Sequence, residues 1–150
     1  MMDNDALYAE VEAFYKKAFD VLLKLAEAGD AESMCRIANM YAVGDGVGVD
    51  YDKSIYWDKK ALELNEVSAR NNLGCTYRMR GDIVSAKYWF EQAVEHGDIE
   101  AALALARLYM VSDKEADKVL EYLDLVINAD PVSVCESLVE EAETLKKKLK

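Results

Sequence analysis

The chain has 150 residues, 52% hydrophobic and 31% charged, with a formal net charge of −11. That length can bury one sizeable core. Phosphate binding needs clustered Lys and Arg, so the charge argues against a nucleic-acid partner. No run of about eighteen apolar residues occurs to span a membrane. One proline and seven glycines among strong helix formers point to an all-α fold.

Residues 5–28 lack glycine and proline. Asp5 can cap a helix there, and Leu7, Val11, Phe14, Ala18, Val21 and Leu25 recur at helical spacing. That stripe is expected to face inward and cover the end of a stack of helices. The opening MMDNDALYAEVEAFYKK lacks the basic start and apolar run of a secretion signal. Cys35, Cys75 and Cys135 are odd in number and far apart, which favours reduced thiols and a cytoplasmic setting over a disulfide framework.

Residues 31–43 predict a helix with Ile37, Ala38 and Tyr41 inward. The following VGDGVGVD carries three glycines that allow a tight reversal. It is not a phosphate loop, because no strand precedes it and no G-K-[ST] follows. Asp50 can cap a helix over 51–64.

Residues 67–96 predict two helices divided at Arg80-Gly81-Asp82, with Asp82 as the second cap. Leu73, Gly74 and Tyr77 on the first should meet Ala86, Trp89, Phe90 and Ala93 on the second. A helix over 99–111 presents Leu105, Ala106 and Tyr109. Ser112 and Glu115 have the spacing of a capping box, and Val119, Tyr122 and Val126 follow. Asp130-Pro131 should start the last helix. Its acidic beginning and KKKLK end suit the helix dipole, with the tail read as a solvated terminus.

The pattern repeats. Gly29-Asp30, Asn65-Glu66 and Gly97-Asp98 lie 36 and 32 residues apart, as do Tyr41, Tyr77 and Tyr109. A two-helix period in the thirties indicates a helical solenoid, because one hairpin cannot bury its own apolar face.

The stretch ANMYAVGDGVGVDYDKSIYWDKKALE (38–63) resembles a Sel1-like repeat of the tetratricopeptide-like superfamily. Its Tyr41, Gly44, Gly46-Val47, Asp50, Lys53, Trp57, Lys60 and Ala61 sit where that family keeps its tyrosine, G-x-G-V loop, aspartate, lysine, tryptophan and K-A pair. ARNNLGCTY (69–77) with SAKYWFEQAVEHGD (85–98) resembles a second copy. Residues 78–82 shorten the loop, Ser54 replaces an alanine, and the third unit lacks the tryptophan.

The resemblance implies a right-handed α-solenoid of antiparallel helix pairs, with about three repeats and a capping helix at each end. The expected divisions are a 1–30 cap, repeats at 31–64, 65–96 and 97–129, and a 130–150 cap. In such solenoids the first helix of each pair lines the concave surface. Groove positions counted from the tyrosines are Glu32, Cys35, Asn39 and Ala42 in the first unit. They are Ser68, Asn71, Cys75 and Arg78 in the second, and Glu100, Leu103, Arg107 and Met110 in the third. Amides and guanidinium groups there suit an extended peptide. Cys35, Glu100 and Leu103 stand against a carboxylate clamp built on Asn39 and Asn72.

Nothing in the sequence forms a catalytic set. His96 is the only histidine, which excludes multi-histidine metal sites, and it precedes Gly97 at a helix end where an imidazolium complements the dipole. The 29 acids fall in no cleft motif. The expectation is a non-enzymatic scaffold without cofactor or metal. It would bind a protein or peptide, its acidity suiting a basic partner surface, as a monomer or weak dimer. The alternative is a cytosolic immunity protein that neutralises a basic toxin.

Overall fold

The computed structural model describes residues 3–112 and 115–149. Among these residues the ordered elements are helices: α1 (Asn4–Glu27), α2 (Ala31–Val43), α3 (Tyr51–Glu63), α4 (Ala69–Arg80), α5 (Ile83–Glu95), α6 (Ile99–Ser112), α7 (Ala116–Ile127) and α8 (Glu136–Lys148). They form two compact units, Met1–Gly81 and Asp82–Lys150.

Aspartates start most of these helices. Backbone N–H groups donate to Asp30 from Ser33 (2.9 Å), to Asp50 from Lys53 (3.0 Å), to Asp82 from Ser85 (3.0 Å) and to Asp98 from Ala101 (3.0 Å). Each satisfies an amide that the helix leaves unpaired. In α1 the cap is Asp3, which accepts from the Asp5 N–H, rather than Asp5 itself. The recurring turn ahead of each repeat has one geometry: Gly29, Asn65 and Gly97 lie at φ 99°, 64° and 90°. Asn65 can replace glycine because asparagine tolerates the left-handed region better than most residues.

In the first unit α2 and α3 form a hairpin, with α1 packed on α2 and α4 packed on α3. Ile37, Ala38, Tyr41, Trp57, Ala61 and Leu73 are buried. Phe19 of α1 meets Tyr41 edge-on, ring centroids 5.3 Å apart. The loop after α2 reaches back to α1. A Cβ on Gly46, at φ 69°, would stand 2.4 Å from the Tyr15 carbonyl oxygen, so only glycine permits that approach.

The stripe expected to be covered on α1 is exposed instead: Leu7, Val11, Phe14, Ala18, Val21 and Leu25 all face solvent. The helix buries Phe19 and Ala26, with Leu22 and Leu23 partly covered. A helix can carry two apolar stripes, and periodicity does not say which one the fold uses.

The second unit packs α5 on α6, α6 on α7, and α7 on α8. Phe90, Leu105, Ala106, Leu123 and Val126 are wholly buried. The Tyr109 hydroxyl donates to Glu91 Oε1 at 2.8 Å. Tyr41 and Tyr109 are buried as expected, whereas Tyr77 and Trp89 are only half-buried.

The last helix begins at Glu136 rather than at Asp130-Pro131. Asp130 instead closes a turn: its Oδ1 accepts the Val132 N–H at 2.9 Å and its carbonyl accepts the Ser133 N–H at 2.8 Å. Of the expected capping box, Asp113, Lys114 and the Ser112 side chain lie outside the described residues. Glu115 makes no side-chain cap bond. Lys150 of the KKKLK tail is likewise outside them.

Candidate partner-binding surface

In the first unit the helices expected to carry a binding face are α2 and α4. Their exposed polar positions rest on an unusual polar core. Asp58 of α3 is 1% exposed. Asn72 Nδ2 donates to its Oδ1 at 3.3 Å, while Oδ2 has no hydrogen-bond partner. Trp57 and Trp89 occupy matching repeat positions, so Asp58 matches Phe90. That counterpart is wholly buried and apolar.

Burial disfavours the charged form of Asp58 and pushes its pKa up to about 7, against the lowering effect of hydrogen bonds from Asn72 and Cys35. The Cys35 thiol is pushed up to about 12, first by burial and then by the Asp58 charge. Ser68 Oγ lies 3.9 Å from its sulfur. A second buried polar contact joins Ser54 Oγ and Thr76 Oγ1 at 3.0 Å, linking α3 to α4.

The structure sorts the expected groove residues by access. Asn39 and Arg78 are exposed, and Asn71 and Cys75 are half-buried. Glu32 is exposed but engaged by Arg36 at 2.6 Å. Ser68 is exposed, and its hydroxyl donates to Glu66 at 2.8 Å. Cys35, at 7% exposure, is not available to a partner, because it points into the packing of α2 against its neighbours. Ala42 is buried as well.

In the second unit Glu100 is exposed and Met110 half-buried. Leu103, at 2% exposure, is a core residue rather than a groove residue. Arg107 is engaged by Glu141 of α8. The C-terminal helix lies against α6 and so occupies part of the face that position-counting assigned to a partner. Sequence reasoning missed Asp58, although its register with Phe90 was a readable signal.

A thiol held near 12 is not a thiolate at neutral pH and is a poor nucleophile. His96 is exposed at the end of α5, its Nδ1 2.8 Å from the Gln92 carbonyl oxygen. Among the described residues no group of three or more His, Cys, Asp or Glu is placed to hold a metal ion. No helix among them is long and apolar enough to cross a membrane.

A family model for the Sel1 repeat matches residues 31–66 and 67–98. Two successive segments of the chain match the Sel1 repeat. They account for the G-x-G-V loop, the buried Tyr41 and Trp57, and the paired helices. A segment of 84 residues is 31% identical to chitin synthase regulatory factor 4 of Schizosaccharomyces pombe, covering 55% of this chain and 13% of that protein. A crystal structure of a Sel1 repeat protein from Oxalobacter formigenes matches with a TM-score of 0.64 at 18% identity, covering 90% of this chain and 65% of that one.

The chain thus spans a small part of the curated relative and about two thirds of the solved one. The fold is the all-α repeat architecture of Sel1 solenoids. Sel1 repeats generally mediate protein–protein interaction and are typically non-catalytic.

Proposed function

We propose that this chain is a non-catalytic interaction module that holds another protein or peptide on the first helices of its Sel1 repeats. The observation that carries this reading is the α2–α4 face. Asn39, Asn71 and Arg78 offer amide and guanidinium donors there, on helices whose opposite sides are buried. Such groups match the carbonyls and carboxylates of an extended peptide. In the second unit Glu100 and Met110 remain accessible and form the corresponding surface of α6. We assign repeat 3 to residues 97–129 and the capping roles to α1 and α8.

The net charge of −11 favours a basic partner through long-range steering. A basic toxin neutralised by this chain is one form of such a partner in a cytoplasmic setting. The test begins by affinity capture from the source cell, followed by purification of the recovered protein. Arg78→Glu and Asn39→Ala are each expected to weaken its binding about tenfold or more with helicity unchanged, as for residues near the centre of an interface. Unchanged affinity in both variants refutes the placement. A captured basic nuclease or toxin favours the inhibitor reading, and a captured assembly subunit favours the scaffold.

A further inference from the structure

The exposed stripe of α1 has the geometry of a seam. Leu7, Val11, Phe14, Ala18, Val21 and Leu25 follow alternating steps of four and three residues. This spacing keeps side chains in line when two helices wind around each other. Phe14 is 65% exposed and Val21 52%. The stripe lies roughly a third of a turn from Phe19 and Ala26, counting about 3.6 residues per turn, so packing against α2 leaves it uncovered. Residues 3–18 are exposed throughout.

We propose that α1 pairs with α1 of a second copy of this chain, antiparallel, about a two-fold axis near residue 16. Three features of the stripe select this occupant. In the antiparallel register Leu7 meets Leu25 of the second copy, Val11 meets Val21, and the large Phe14 meets the small Ala18. The two central layers therefore set a large side chain against a small one, as interdigitating packing requires. A shallow groove lined by Phe14, Lys17, Ala18, Val21, Leu22 and Arg36 is the receiving surface for the second copy's Phe14.

The charges are also self-complementary. The first half of α1 carries Asp5, Glu10 and Glu12, net −3, and the second half carries Lys16, Lys17 and Lys24 against Asp20 and Glu27, net +1. Antiparallel pairing sets the acidic half on the basic half, with Glu10 flanking the seam opposite Lys24 of the second copy. A parallel pair instead places like halves together and sets Phe14 on Phe14. Lys17 approaches its own copy near the axis, the one flanking like-charge contact, which costs little at an exposed position. Isologous contacts of this kind repeat every interaction twice and close the assembly at a dimer.

The test uses the full chain and measures mass against concentration by sedimentation equilibrium. The parent protein is expected to approach twice the monomer mass within the micromolar to millimolar range. Phe14→Glu is expected to raise the dissociation constant at least about tenfold with unchanged circular dichroism. Glu10→Lys and Lys24→Glu should each weaken the dimer about fivefold, since each breaks two symmetric exposed pairs. The double swap Glu10→Lys/Lys24→Glu should restore it. A protein that stays monomeric up to about millimolar concentration overturns the proposal and leaves the stripe to a different protein. A dimer insensitive to Phe14→Glu, or a double swap that fails to restore the parent affinity, overturns it too.

Discussion

Asp58 stands where the second repeat places Phe90, and this one side chain sets a pH dependence. Its folded value of about 7 lies above the ordinary 3.8, so the native state keeps the proton to higher pH than the unfolded chain does. The stability of the neutral carboxyl is full below about pH 4, declines as pH rises, and is lost above about pH 7. Cys35, raised to about 12, stays neutral across that window, and Asn72 does not titrate. Urea titrations at a series of pH values should show the decline. Asp58→Asn should flatten it and gain on the order of 2–4 kcal/mol at pH 8. A variant that keeps the parent slope refutes the assignment. Gly46 is the second sensitive residue. Gly46→Ala adds a Cβ against the Tyr15 backbone at a positive φ and should cost about 2 kcal/mol or more, seen as lost hydrogen-exchange protection in α1.

At the scale of elements, the sequence was most legible where two signals agreed. Helix α5 carries a capping aspartate, Asp82, and an apolar stripe, and the cap is found in place with Ala86, Phe90 and Ala93 buried and Trp89 half-buried. Asp82→Ala should therefore cost about 1 kcal/mol in thermal or denaturant unfolding, because it removes the acceptor of the Ser85 amide. The start of α8 was not legible, because Asp-Pro suits a turn as well as a helix start, and neighbouring packing decides. The α1 stripe failed for a related reason. Its periodicity is real, but which face of a helix is covered depends on partners distant in sequence. Cys35 and Leu103 were misplaced in the same way, since counting from a tyrosine does not show which side of the helix the core covers, and it cannot see Glu141 of α8 engaging Arg107. Phe90→Ala, at a wholly buried position, should cost about 3–5 kcal/mol in the same unfolding measurement.

For the molecule as a whole, the excess of acid over base makes association with a basic partner sensitive to ionic strength. The association rate should fall steeply as salt rises, with dissociation changing less, and a stopped-flow salt series will show whether it does. The repeat identity itself was legible because several linked positions recur together at spacings of 36 and 32 residues, which no single motif provides. The three thiols carry a different consequence. Cys135 is exposed, Cys75 half-covered and Cys35 buried, and a hydrogen bond from Ser137 lowers the Cys135 pKa. Alkylating reagents should therefore mark them in that order, and the delay before Cys35 reacts becomes a built-in stopwatch for how often the first repeat breathes open.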